Sequence, residues 1–298
     1  MIKVALWVVG EEKDYLTRAL EILGKQENGL LVIGAISEGD RKKFAINSQE
    51  VPMLGVDEFL MKRAWDYVLV TGGRCHMPAV TKKCKVWGIS PDSFISDRAV
   101  CAPGFTLEKY FLLRHSQLSI LSMNCFGGLI SSLLQLEFLT PTINMFLKED
   151  EFLKFLSEPR KYMETQLELI DKVQEKGRVY PVFSTGGVHL YMNHYFDFDA
   201  ASKKWYERVK RINWYNVIPV MYTKNAHNAE LFDKLPFGKK VCFTDFASDF
   251  QSSYFLPVLD DKELPLWDRV NHVGMGLWKR YDLFNMLLYG IKTPIYRK

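Results

Sequence analysis

The chain has 298 residues, 48% of them hydrophobic, with a formal net charge of +4. That length suits two α/β domains or one large one around a sizeable core. The slight basic excess excludes a dedicated nucleic-acid binder, and no apolar run approaches the ~20 residues that a membrane span needs.

The opening run at residues 2–9 reads as a buried first strand rather than a leader, because Glu11, Glu12 and Asp14 follow at once without a small-residue cleavage site. Leu16, Ala19, Leu20 and Leu23 then fall on one helical stripe, closed by Gly24 and Asn28-Gly29. Residues 30–36 form a second strand, Asp57 caps a helix over 58–65, and residues 67–71 form a third strand before Gly72-Gly73. This alternation predicts a Rossmann-like parallel sheet over residues 1–104, with 86–89 as a fourth strand. A dinucleotide fingerprint needs three glycines in its first turn, whereas Gly10 is followed by Glu11, Glu12, Lys13 and Asp14. Carboxylates at that helix start occupy the place of a phosphate and repel it. Glu38 or Asp40 imitates the ribose-binding acid only weakly. The loop therefore favours a structural sheet.

A second, larger α/β domain with a mixed sheet is expected over residues 105–298, organised around the stretch 118–146. Thr106 caps a helix running through His115. Residues 118–122 suit a buried strand and 129–136 a helix. Between them, Met123-Asn124-Cys125-Phe126-Gly127-Gly128 makes a strand-to-helix turn, where open α/β sheets bind ligands and glycines admit close backbone approach. The alternative is that the glycines only permit tight strand–helix packing. A second polar turn, Thr140 to Asn144, adds hydrogen-bonding groups.

Lys148-Glu149-Asp150 opens the next helix, Pro159 interrupts it, and residues 160–176 read as a further helix ended by Gly177. Residues 180–183, the Gly186-Gly187 turn and 188–196 form a β-hairpin. His189 and His194 face opposite sides of an unbroken strand and do not share a metal there; no metal site is expected. Asn193, His194 and Tyr195 lead to a helix over 200–212, which places Lys204, Arg208 and Arg211 in line as a possible phosphate clamp or a solvated face. Asn213 and Asn216 flank Trp214 in its exit turn. Strands at 217–222, 241–244 and 254–258, a helix at 229–235 and an amphipathic helix at 281–289 complete the chain.

The cysteines Cys75, Cys84, Cys101, Cys125 and Cys242 make an odd number without a CxxC pair. Neither a disulfide framework nor a zinc ribbon follows, and a reducing, cytoplasmic setting fits.

Several blocks in the second half carry a family resemblance: SMNCFGG at 122–128, PTINMF at 141–146, His194-Tyr195, KKWYERVKRINWYNV at 203–217, FDKLPF at 232–237 and VCFT at 241–244. In this order and spacing they resemble an uncharacterised bacterial family labelled exopolysaccharide or capsular polysaccharide biosynthesis protein, a domain of unknown function. The first domain is similar, more loosely, to the nucleotide-binding-like domain that precedes sugar acyltransferases, with Val51-Pro52-Met53-Leu54-Gly55 as its linking loop. The turn Thr223-Lys224-Asn225 lacks the acidic residue that such a family would place after the threonine, which argues against metal or donor binding there.

The resemblance implies an enzyme of surface-polysaccharide assembly that transfers a sugar or substituent from an activated donor. Its substrate would be a small molecule or glycan, a nucleotide sugar among the candidates. His194 is then the expected general base, and Asn124, with the Gly127 and Gly128 amides, the stabiliser of developing charge. Arg208 and Arg211 would hold donor phosphates, with Cys125, Asn144, Tyr195, Asn213 and Thr244 contacting substrate. The competing expectation is a non-catalytic glycan-, nucleotide- or partner-binding accessory protein; no GxSxG or HExxH pattern occurs. A nicotinamide-dependent oxidoreductase is disfavoured by the lone Gly10. The sequence specifies no cofactor and no oligomeric state.

Overall fold

The computed structural model describes residues 1–9, 15–37, 43–71, 77–175, 177–257 and 280–295, together with Leu266 and Val270. Gly10 to Asp14, Glu38, Asp40, Gly72-Gly73, Cys75 and Lys176 lie outside the described residues. The chain divides into two compact units, Met1–Arg114 with Ser132–Glu137, and His115–Ser131 with Phe138–Lys298.

In the first unit the elements are β1 (Ile2–Val8), α1 (Leu16–Gln26), β2 (Leu30–Ser37), β3 (Phe44–Ile46), β4 (Gln49–Val51), α2 (Val56–Lys62), β5 (Tyr67–Thr71), α3 (Met77–Trp87), β6 (Phe94–Ser96), α4 (Asp97–Val100) and α5 (Leu107–His115). The main sheet has the order β2-β1-β5-β6, and all its pairs are parallel. β1 is buried along nearly its whole length, as a central strand covered on both faces must be. Leu16, Ala19 and Leu23 are the buried stripe of α1. Trp7, Phe59, Trp87 and Phe94 interlock in the core, with Trp7 edge-on to Trp87 at 5.5 Å.

Two expectations change here. Val86 belongs to the last turn of α3, and Gly88 at φ +62 follows that helix; the fourth strand is β6. Asp57 sits in the first turn of α2, where its charge suits the helix dipole, while Gly55 is the N-cap. Thr106 does accept the Lys109 amide, at 3.2 Å.

The second unit continues with β7 (Ser119–Ser122), α6 (Phe126–Leu133), α7 (Glu149–Ser157), α8 (Pro159–Glu164), β8 (Glu168–Glu175), β9 (Arg178–Thr185), β10 (Val188–Tyr191), α9 (Phe198–Val209), β11 (Val217–Thr223), α10 (Ala226–Asp233), β12 (Val241–Thr244), β13 (Ser253–Phe255) and α11 (Leu283–Tyr289). Its parallel sheet has the order β13-β12-β11-β7. A separate antiparallel sheet, β10-β9-β8, turns at Gly186-Gly187, whose φ values of +58° and +77° suit glycine. The fold is therefore mixed α/β. The core between these layers gathers Phe152, Phe155, Phe183, Leu190, Trp205, Met221 and Phe232.

The helix expected over residues 160–176 is corrected: α8 stops at Glu164, and 168–175 is strand β8. Leu169 and Val173 stand four apart and imitate a helical stripe, but the segment lies on the sheet edge and pairs antiparallel with β9. Tertiary pairing overrides local pattern.

Candidate functional site

The carboxyl ends of parallel strands β7, β11 and β12 share one edge of the sheet. At the end of β7 the Ser122 hydroxyl donates to the Asn124 carbonyl, and the Asn124 carboxamide oxygen accepts the Phe126 amide at 3.0 Å. This turn ends the strand and opens α6, whose first α-type bond runs from the Leu129 amide to the Cys125 carbonyl at 3.0 Å. Cys125 thus stands at a helix start, partly buried.

His194 comes from the turn after β10. Its Nε2 lies 3.4 Å from the Cys125 Sγ, across 69 residues of sequence. Burial pushes the Cys125 thiol pKa up. Burial, with the Arg178 guanidinium behind it, pulls the His194 pKa down. The helix start works against burial at the thiol, and desolvation wins. The pair at neutral pH is therefore a neutral thiol and a neutral imidazole able to accept its proton, rather than a preformed ion pair. Asn124 is only 7% exposed, and its side-chain NH₂ has no partner. That leaves a buried, unspent donor on the residue that precedes Cys125.

A contact chain runs outward from His194. The neighbouring Tyr195 hydroxyl accepts from Arg208 Nη1 at 2.6 Å, and the same nitrogen donates to the Ile143 carbonyl at 3.2 Å. Asn144, exposed and at φ +62°, follows Ile143. Cys125 and His194 are thus in contact, and Tyr195 and Arg208 form a second contact next to them in sequence, with Asn144 following the Ile143 carbonyl that Arg208 binds.

Other expected residues have different roles or places. The Gly127 amide donates to Ser122 Oγ at 3.1 Å. A Cβ there would meet Ser122 Cβ at 3.1 Å and the Ile120 carbonyl at 3.3 Å, while one on Gly128 would meet Ile143 at 3.2 Å. Gly127 serves close packing of α6 on β7, and Gly128 close packing of α6 on the turn that carries Ile143. Thr244 is buried, and its hydroxyl is spent on the Phe246 carbonyl and Ser253 Oγ. Arg208 is committed to Tyr195 and Ile143, Lys204 pairs with Glu207 at 3.1 Å, and Arg211 is exposed, so the three cations do not form one clamp. Asn213 lies at the opposite, amino-terminal end of the sheet, where its amide donates to Ser119 Oγ at 2.9 Å.

Sequence reasoning missed Glu149. At the first turn of α7 its carboxylate accepts from Thr223 Oγ1 at 2.5 Å and from Asn228 Nδ2 at 2.9 Å. Tyr222, on β11, has its pKa pushed up to about 12 by burial, then by Glu149 and Cys125. Glu149 had looked only like a helix-opening acid, and separations of 74 and 79 residues leave no local signal. Asp197-Phe198-Asp199 spells a DxD pattern, but Asp197 caps α9, accepting the Ala200 amide at 2.9 Å. Among the described residues no group of three His, Cys, Asp or Glu side chains could hold a metal ion, and no helix is long and apolar enough to cross a membrane.

These features define an α/β protein with a thiol–imidazole pair at the carboxyl edge of a parallel sheet. Residues 98–289 match the family described as "Domain of unknown function (DUF1919)", and the chain belongs to that family. It is 27% identical over 177 residues to an uncharacterised protein of Haemophilus influenzae, covering 58% of this chain and 84% of that protein. Among solved structures it resembles aspartate semialdehyde dehydrogenase II from Vibrio cholerae, complexed with ASA, at 12% identity and a TM-score of 0.23. That match covers 56% of this chain and 49% of the other. A likeness at that score carries no argument.

Proposed function

We propose that the protein is a cytoplasmic group-transfer enzyme of surface-polysaccharide assembly that carries a substituent on Cys125. The single observation behind the chemistry is the 3.4 Å contact between Cys125 Sγ and His194 Nε2. In the forward step Cys125 Sγ attacks the carbonyl carbon of an activated acyl donor while its proton passes to His194 Nε2. The donor's leaving group departs with that proton, and a thioester remains on Cys125. An acceptor hydroxyl then attacks the thioester, giving its proton through His194 back to the thiol. The free Asn124 NH₂ stabilises the carbonyl oxygen as charge builds on it.

Acyl transfer is favoured because a thiol with an imidazole base beside it suits a covalent thioester intermediate. The polysaccharide setting rests on the resemblance of the blocks SMNCFGG, PTINMF and KKWYERVKRINWYNV. Cys84, Cys125 and Cys242 are free thiols, which supports a reducing compartment. The test is turnover with a panel of acyl-thioester donors and oligosaccharide acceptors. Activity that disappears in Cys125→Ser and falls at least a hundredfold in His194→Asn supports the proposal; undiminished turnover in Cys125→Ser overturns it.

A further inference from the structure

The turn Asn213-Trp214-Tyr215-Asn216 between α9 and β11 is held on both sides. The Asn213 carboxamide accepts the Tyr215 amide at 3.2 Å and donates to the Gln117 carbonyl at 3.2 Å. Asn216 Nδ2 donates to the Ser116 carbonyl at 2.8 Å. A turn pinned this firmly presents Tyr215 at 102% exposure, while the Arg160 guanidinium lies over the Trp214 ring at 4.4 Å. An aromatic side chain in full contact with water, on a turn whose backbone is pinned, buries nothing in the protein and is available to a ligand.

Behind this platform lies an open pocket of about 780 Å³, to which Arg160, Lys161, Trp214, Tyr215, Phe237 and Lys239 contribute. Lys239 forms part of its wall, with Nζ donating to Asn216 Oδ1 at 2.6 Å and to the Leu287 and Leu288 carbonyls at 3.2 Å. Among the described residues no carboxylate pairs with Lys239 or Arg160, whereas Lys161 is matched by Glu158 at 2.6 Å. The wall therefore carries more positive than negative charge, and burial lowers the Lys239 pKa, a cost that an arriving anion would relieve.

We propose that this pocket is a second binding site, for an acidic saccharide: a sugar whose flat face stacks on Tyr215 and whose carboxylate or phosphate meets Arg160, with the Lys239 charge in the wall behind it. It is separate from the thiol site. Val217, which opens β11 and pairs with Ser119, lines the pocket, while Cys125 lies beyond Ser122 at the far end of the adjacent parallel strand β7, three residues or about 10 Å along the strand. A saccharide fits better than a nucleotide because the lining offers cations, a carboxylate and a hydroxyl, but no carboxamide to read a base edge. Planar Arg160 suits either a carboxylate or a phosphate.

The experiment is a tryptophan-fluorescence titration of the full chain with tetragalacturonate, glucose 1-phosphate, maltotetraose and UMP. A saturable change with an acidic sugar, weakened at least tenfold in Arg160→Gln and in Tyr215→Ala but kept in Cys125→Ser, supports the site. Which acidic probe binds tells a uronate from a sugar phosphate. Silence with both acidic sugars, equal binding of maltotetraose, preference for UMP, or binding that both pocket variants retain overturns it. Loss of binding in Cys125→Ser overturns the separation of the two sites. Because the readout is binding alone, failure here leaves the thiol chemistry to its own test.

Discussion

Burial moves Cys125 and His194 in opposite directions, the thiol up and the imidazole down, and both shifts favour the neutral form. At this scale the prediction is a pH profile. A protonated imidazole cannot take the thiol proton, so kcat/KM should rise with pH as His194 loses its proton. The inflection should lie below the ordinary histidine value of 6.5. Arg178 contributes to that displacement, so Arg178→Gln should move the inflection toward 6.5. An acid limb above the ordinary value, or one indifferent to Arg178, would mean that His194 is not the base. Asn124 and His194 were legible as polar residues closing strands. Their pairing through Cys125 was not, because no sequence period joins positions 69 apart.

Among the elements, the β7–α6 turn is the one whose glycines invite a test. Gly127→Ala gains about 0.5–1 kcal/mol of helix propensity. The new Cβ, however, meets Ile120's backbone oxygen at 3.3 Å and Ser122 Cβ at 3.1 Å, and overpacking of this kind costs about 1–3 kcal/mol. The strand backbone yields less readily than a side chain, so a net loss of up to about 2.5 kcal/mol is expected from urea unfolding. A stabilised variant would contradict the packing role. Elements whose burial follows a simple period were readable in advance: β12 falls on residues 241–244 as expected, and α9 begins within two residues of its expected start. Edge strand β8 was not, because a mostly exposed segment with Leu169 and Val173 four apart carries a helical period, and only its partner β9 reveals the strand. Arg208 illustrates the same limit. Helical spacing placed it in line with Lys204 and Arg211, yet its guanidinium turns inward to Tyr195 and Ile143.

For the molecule as a whole, alternating strands and helices announced a mixed α/β architecture, and each unit builds its own core. In the second unit that core includes aromatic side chains from α7, α9 and α10. Phe155 is fully buried beside Phe152 and Tyr162. Phe155→Ala should cost about 3–5 kcal/mol in urea unfolding; a loss under about 1 kcal/mol would show that this ring is not central to the core. The central claim remains that the sheet's carboxyl edge presents Cys125 as a nucleophile with His194 as its base. The most direct measurement is peptide mass mapping after brief exposure to p-nitrophenyl acetate, with nitrophenolate release followed in parallel. The account predicts a burst with the acetyl group on Cys125, absent in Cys125→Ser and slowed at least tenfold in His194→Asn. Acetylation spread over surface lysines, or a burst unchanged in His194→Asn, would contradict it.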